Sequence, residues 1–398
     1  MSRIGSVVLA SVLALGGQAL VAPPAPARAT APAAAPAAGL LDVVVTLEPG
    51  TDAASAARSL VSARGGTVTA LFTQALDGFA ATLPDALLTV LRGDARVRSV
   101  EPERTYRAST TQTPTPSWGL DRVDQRSLPL NRSYVYTRTA STVDVYVVDT
   151  GVYGGHTDFG GRVRPGKDTI DDDSVPQDCN GHGTHVAGTT GGTRYGVAKK
   201  ARIVAVRVLG CDGAGDTSAV VKGLDWVVRH HRAGQPAVVN LSLGGPVSEA
   251  MDAAVRAVMT DGVSVVVAAG NDDADACSSS PGRVPGVITV AASDRSDARA
   301  SFSNFGSCVD LFAPGVDIVS TWRDGRTRTL SGTSMATPHV TGAVALFLSL
   351  HPTARPSTVQ SQILKNTSKG KVSGTEQQCV LLFCTAGTPN DDLLYVAR

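Results

Sequence analysis

The sequence predicts an α/β protein: a mostly parallel sheet covered by helices on both faces, preceded by a small α+β domain of split βαβ type. Two observations carry this. Beyond Trp118, near-continuous Val/Ile/Ala runs alternate with helical patterns, as expected of strands buried on both faces. Before Pro102, the order of apolar segments is β-α-β-β-α-β, which builds a two-layer domain. In open parallel sheets, sites form beyond the carboxyl ends of the strands. Asp149, Ser242 to Gly245 and Asn271 all fall at or just past predicted strand ends.

The N-terminus has the layout of a secretory signal. Arg3 precedes an apolar stretch, Val7 to Val21, and Ala27-Arg28-Ala29 supplies an A-x-A cleavage site. The stretch is too short and too rich in Gly and Ala for a membrane anchor. Residues 30–39 form an Ala/Pro-rich spacer. Strands are predicted at Asp42 to Leu47, Thr67 to Phe72, Gly78 to Leu83 and Val97 to Val100. Helices are predicted at Ala53 to Ala63 and Asp85 to Leu91. Arg107 to Ser117 is polar, aperiodic and contains two prolines, so it reads as an exposed linker open to proteolytic nicking.

Past the linker, Val143 to Val148 and Ala201 to Leu209 are apolar runs. Thr217 to His230 carries Val220, Val221, Leu224, Val227 and Val228 at helical spacing. Ala237 to Leu243 and Val263 to Ala269 are strands flanking a helix at Ser248 to Met259. Val287 to Ala291 and Val309 to Phe312 are shorter strands, and Ala343 to Leu350 continues a helix that opens near Ser334.

Composition narrows the partners. The chain has 398 residues and a formal net charge of +1, so nothing points to nucleic acid or a charged membrane surface. Six cysteines, an even number, fit disulfides in an oxidising compartment.

Four motifs carry chemistry. Asp149 ends a buried apolar strand, where a carboxylate needs a partner; alone it also reads as a turn cap. His182 lies in N-G-H-G-T-H-V-A-G with His185 three residues on. A metal-binding histidine pair is one reading; a general base at a helix start with a structural His185 is the other, favoured because no H-E-x-x-H arrangement is present. Asn271 closes A-A-G-N and either ends a turn or donates its amide to an oxyanion. Ser334 lies in S-G-T-S-M-A-T-P-H-V-T-G, at a helix start whose free N–H groups and dipole favour developing negative charge. Its ordinary alternative is a Ser-capped helix.

Together, in the order Asp, His, Asn, Ser, these motifs resemble the subtilisin-like serine proteases, the proteinase K branch and within it the aqualysin-type secreted enzymes. The resemblance covers roughly Trp118 to Tyr395, and the preceding domain resembles the family's inhibitory propeptide. It implies Asp149, His182 and Ser334 as a catalytic triad, with Asn271 and the Ser334 N–H as the oxyanion hole. Thr341 stands where alanine is usual, on the helix beyond the nucleophile, and leaves that chemistry untouched. The resemblance also implies Ser242, Leu243, Gly244 and Ala268, Ala269, Gly270 as walls of the S1 pocket. Gly213, Ala214 and Gly215 would pair with an extended substrate. Small uncharged walls imply a broad preference for apolar or aromatic P1 residues. Asp216 stands over the S4 position, favouring a basic or polar P4 side chain or acting simply as a solvated loop acid.

Two disulfides follow from the same resemblance, Cys179–Cys211 and Cys277–Cys308. Cys379 and Cys384 are expected to close a third, small loop, with free thiols as the alternative. Structural Ca²⁺ is implied at the carbonyls of Pro285 and Val287 with Asp310, and at Asp121, Asp124, Gln125, Asn131 and Ser133. The Asp171 to Asp173 run reads as solvated loop. The expected organisation is a signal peptide (1–29), spacer (30–39), propeptide (40–104), linker with processing site (105–117, cut around Arg107 to Thr111) and catalytic domain (118–398). The expected product is a secreted, monomeric, broad-specificity endopeptidase acting on proteins and peptides and inhibited by its own propeptide. A narrow processing protease is disfavoured by the lack of acidic pocket residues. A non-catalytic binding protein is disfavoured because no triad residue is missing.

Overall fold

The computed structural model describes residues 39–103, 110–376 and 387–396, and the backbone of 379–380 and 383–384. The expected signal peptide, most of the spacer, the core of the processing linker and the side chains of Cys379 and Cys384 lie outside the described residues. The chain divides into two compact units, Met1–Tyr106 and Arg107–Arg398.

The first unit follows the predicted element order. Strands β1 (Leu40–Leu47), β2 (Thr67–Phe72), β3 (Gly78–Pro84) and β4 (Val97–Pro102) form an antiparallel sheet in the order β2-β3-β1-β4. Helices α1 (Ala53–Leu60) and α2 (Leu87–Gly93) supply the second layer. Asp52 caps α1 by accepting from the Ser55 N–H at 2.7 Å, satisfying a first-turn donor. Alternate residues of β1, Val43, Val45 and Leu47, pack with Ala56, Leu60 and Leu91 in a core of their own.

The second unit is a seven-stranded parallel sheet. Its strands are β5 (Asp144–Asp149), β6 (Val163–Asp168), β7 (Arg202–Arg207), β8 (Ala237–Leu241), β9 (Ser264–Ala268), β10 (Ile288–Ser293) and β11 (Leu311–Pro314). Their order is β11-β10-β9-β8-β5-β7-β6, and every pair runs parallel. From β5 the chain crosses to the edge strand β6 and returns through β7, whereas from β8 it steps outward the other way through β9 to β11, so the topological switch lies between β5 and β8.

Side chains alternate across the sheet into two cores. On one face Val145, Val147, Ile203, Val238 and Val266 meet α4 (His182–Gly191) and α7 (Thr333–Leu348). On the other, Tyr146, Val148, Val204, Val239 and Val265 meet α5 (Thr217–His230) and α6 (Glu249–Thr260). Helices α5 and α6 are amphipathic surface helices. Helix α7 is buried nearly all round, as its even apolar composition requires.

Some elements were not legible. Edge strand β6 (V-R-P-G-K-D) is half polar and bulges between Pro165 and Lys167. The polar hairpin of Ile318–Thr321 and Thr327–Leu330, and helices α3 (Trp118–Val123) and α8 (Pro356–Lys365), also went unread. Within the expected linker, Thr110–Gln112 is a short strand paired antiparallel to Tyr134–Tyr136. Three residues are too few for periodicity to reveal them; a distant partner and the Lys199 ammonium, 2.7 Å from Gln112 Oε1, hold them. Among the described residues no helix is long and apolar enough to cross a membrane.

Candidate active site

The site forms at the switch point. Asp149 is the last residue of β5 and is fully buried. Its Oδ1 accepts from the Thr150 N–H at 2.7 Å and lies 2.8 Å from His182 Nδ1. A neutral imidazole that donates from Nδ1 to a carboxylate leaves the Nε2 lone pair facing outward. Burial disfavours the imidazolium, yet the charge and hydrogen bond of Asp149, aided by Asp178, hold the His182 pKa above its ordinary value of 6.5.

His182 opens α4, and Asp178 fastens that helix start. Asp178 Oδ1 accepts from Thr150 Oγ1 (2.9 Å) and the Gly181 N–H (2.7 Å). Its Oδ2 accepts from the N–H (3.0 Å) and hydroxyl (2.5 Å) of Thr184. Gly181 has φ +115°, and a Cβ there would stand 2.3 Å from the Trp322 ring, so only glycine turns the chain into this helix. Asp178 was not singled out from the sequence; its position three residues before Gly181 in a loop gave no signal beyond a turn acid.

His185 lies one turn beyond. Its Nε2 is 3.0 Å from the Ile318 carbonyl, and burial drives its pKa down to about 3. Its Nε2 also lies 3.1 Å from the Arg328 carbonyl, contacts that fit a structural role for this ring.

Ser334 is the second residue of α7, so its N–H has no intrahelical acceptor. Its Oγ donates to the Ser242 carbonyl at 3.1 Å, while Ser242 Oγ donates to the Ser334 carbonyl at 2.9 Å. His182 and Ser334 line one cleft of about 620 Å³, with Ser242, Leu243, Gly244, Gly213, Ala214 and Gly215 around it. Asp216 does not line this cleft. It stands at the N-cap position of α5 without a capping hydrogen bond from its side chain, and borders a separate surface depression with Asp212 and Lys222.

An adjoining pocket of about 420 Å³ runs from Ser334 past Leu243, Gly244, Ala268, Ala269, Gly270 and Asn271. Asn271 Oδ1 accepts from the Thr333 N–H (2.8 Å) and hydroxyl (3.0 Å). A backbone N–H can only donate, so the oxygen must face Thr333 and the NH₂ must face away from it, free to donate elsewhere. Gly270 has φ +107°, and a Cβ there would lie 2.3 Å from Asn304 Nδ2. Asn304 pins this loop by donating to the Ala269 carbonyl and accepting from the N–H groups of Asp272 and Ala274. Thr333 and Asn304 were missed because their roles rest on contacts with residues distant in sequence. One acid, Asp272, also borders this pocket, on its exposed rim.

Cys179–Cys211 and Cys277–Cys308 are paired as the resemblance implied. The first ties the loop before His182 to the cleft edge, where Asn180 Nδ2 donates to the Cys211 carbonyl. Cys379 and Cys384 face each other in antiparallel register, with side chains outside the described residues. The Asp171 to Asp173 loop is exposed, but Asp171 joins Asp168 in pairing with Arg207.

Among the expected calcium ligands, Asp310 is largely buried and its pKa is pushed up by burial to about 6. Asp310 Oδ2 accepts from the Thr289 N–H, and the Val287 carbonyl accepts from Gln360. Asp121 and Asp124 are both buried against the loop 125–135. Asp121 accepts from the N–H groups of Asn131 and Arg132, and Asp124 from that of Val135. Gln125 donates to the carbonyls of Ser127 and Pro129, and Asn131 accepts from Ser133.

Residues 140–381 match the subtilase family. The chain is 54% identical over 302 residues to an extracellular serine proteinase of Thermus sp., covering 75% of this chain and 73% of the relative. It is 49% identical over 314 residues to an alkaline serine exoprotease A of Vibrio alginolyticus, covering 77% of this chain but 58% of that longer protein. The crystal structure of a cold-adapted subtilisin-like serine proteinase superposes with a TM-score of 0.67 at 50% identity, covering 72% of this chain and all of the other. With this fold, and with Asp149, His182, Asn271 and Ser334 at the switch point, the chain belongs to the subtilase family and is a serine-type endopeptidase.

Proposed function

We propose that this protein is a secreted endopeptidase of broad specificity, made as a self-processing zymogen and stabilised by calcium. The observation that carries the reading is the buried Asp149–His182 pair opening onto the cleft that Ser334 lines. Ser334 Oγ turns from the Ser242 carbonyl to His182 Nε2, gives up its proton there and attacks the scissile carbonyl. His182 passes that proton to the leaving amine, and Asp149 holds the tautomer and stabilises the imidazolium. The Ser334 N–H and the Asn271 NH₂ receive the oxyanion. Water then repeats the sequence on the acyl-enzyme.

The largely small, uncharged walls of the pocket behind Ser334 support apolar or aromatic P1 residues. Extracellular action is supported by the signal-like N-terminus and by the extracellular Thermus relative. The first unit acts as the inhibitory propeptide, released by a cut between it and the Thr110–Gln112 strand, leaving a monomeric enzyme. Calcium fits the donor chemistry at both expected sites. Each is built from oxygens, and buried Asp310 makes no ion pair among the described residues, so a hard divalent cation would neutralise it.

The test is intact mass and N-terminal sequencing of secreted wild type beside Ser334→Ala. Self-processing predicts a wild type beginning between residues 104 and 110 and a mutant that keeps the first unit attached. Identical cutting of both would assign maturation to another protease.

A further inference from the structure

We infer that Thr341 and Asn240 are positioning residues for the nucleophile, acting through a one-way chain of buried hydrogen bonds that ends on the Ser334 carbonyl. The inference rests on Ser334 being the nucleophile.

The chain begins with a defect in α7. In an α-helix the Ser334 carbonyl would accept from the N–H of residue 338. That residue is Pro338, which has no N–H and whose ring crowds the same carbonyl. Ser242 Oγ supplies the missing donor at 2.9 Å. The nucleophile's own peptide is therefore fastened by a side chain from the end of β8 and not by its helix.

The direction of every other bond follows from this one. The Ser334 carbonyl only accepts, so Ser242 must spend its single proton there and accept in turn. Asn240 Nδ2 donates to Ser242 Oγ at 2.9 Å. The Asn240 oxygen then faces the other way, where Thr341 Oγ1 donates to it at 2.8 Å. Asn240 and Thr341 are fully buried and Ser242 nearly so, so water does not compete for these groups. Thr341 Oγ1 also lies 3.1 Å from the Thr337 carbonyl, the ordinary within-helix bond for a threonine, but its one proton is needed by the buried amide.

Thr341 anchors the far end of the chain. Without its hydroxyl, Asn240 Oδ1 is buried and unpaired. The amide is then held only through its donor side, so Asn240 no longer has a fixed place, and neither does the Ser242 hydroxyl it supports. The Ser334 carbonyl, which no N–H of α7 can serve because of Pro338, then loses its fixed donor, and the position of Ser334 in the cleft shifts.

The experiment compares Thr341→Val, which keeps the shape and removes the donor, with Thr341→Ser, which keeps the donor. Ser334→Ala is run alongside. The readouts are kcat and KM on a peptide substrate, the rate of inactivation by phenylmethanesulfonyl fluoride, and the melting temperature. The expected result is a fall of about tenfold in both kcat and inactivation rate for Thr341→Val, with KM within about twofold. Thr341→Ser should restore both rates to within about twofold of wild type. A Thr341→Val enzyme that melts earlier but keeps its kcat and inactivation rate would overturn the inference, as would a Thr341→Ser enzyme as slow as the valine variant. If Ser334→Ala still hydrolyses the peptide, the underlying assignment of the nucleophile fails instead.

Discussion

His182 Nδ1 lies 2.8 Å from Asp149 Oδ1, and that carboxylate is sealed from solvent at the end of β5. One consequence is electrostatic. Burial of the ring opposes its charge, but the charge and hydrogen bond of Asp149, together with the charge of Asp178, outweigh that burial, so His182 accepts a proton more readily than a free imidazole. Only the neutral ring acts as base.

The acid limb of kcat/KM should therefore fall above pH 6.5, the ordinary imidazole value. Asp149→Asn removes the charge and fixes the wrong tautomer. It should lower kcat by about 10⁴-fold, as in other triads, and move the remaining acid limb downward. A pH-rate profile of both enzymes checks the direction; an upward move would show that Asp149 does not govern this ring.

Asn271→Ala should reduce kcat by roughly 10²–10³-fold while changing KM little, since its NH₂ meets charge that exists only in the transition state. That magnitude is the one found on removing an oxyanion-hole asparagine from subtilisin. Thr333, whose N–H and hydroxyl now meet Asn271 Oδ1, would lose its acceptor, so steady-state kinetics should be read beside a melting curve.

Acid should destabilise the fold through two histidines outside the triad. Burial lowers His185 to about 3 and His339 to about 4. Both are neutral when folded, while in the unfolded chain they titrate near 6.5, so between about 4 and 6.5 the unfolded state binds more protons. Stability contributed by these groups is present above 6.5 and is lost as pH falls, by up to about 1.4 kcal/mol per pH unit for each. His339→Gln should flatten the dependence of unfolding free energy on pH over that window, whatever it does to absolute stability. An unchanged slope would remove His339 from the explanation.

Chelation of calcium should lower the melting temperature, and Asp310→Asn should remove part of that response. A thermal scan with and without a chelator that shows no difference would leave both proposed sites without a cation.

The buried sheet was readable because strands covered on both faces must be apolar along most of their length, as Val263 to Ala269 is. The four proposed site residues stand out in the sequence because each sits in a short motif at a strand end or helix start. What escaped was whatever depends on a partner far along the chain. Asp178 looks like any loop acid until Thr150, Gly181 and Thr184 converge on it. Thr341 looks like a harmless change until Asn240 is found beside it. Strand Thr110–Gln112 has no pattern of its own and exists only by pairing with Tyr134–Tyr136.

The most direct measurement is to react the mature enzyme with phenylmethanesulfonyl fluoride and locate the adduct by peptide mass mapping. The account predicts one sulfonyl group per chain, on Ser334, with loss of hydrolysis in step with labelling and almost no labelling of His182→Ala. A stoichiometric adduct on another residue, or an enzyme that hydrolyses peptides normally with Ser334 unmodified by the reagent, would contradict it.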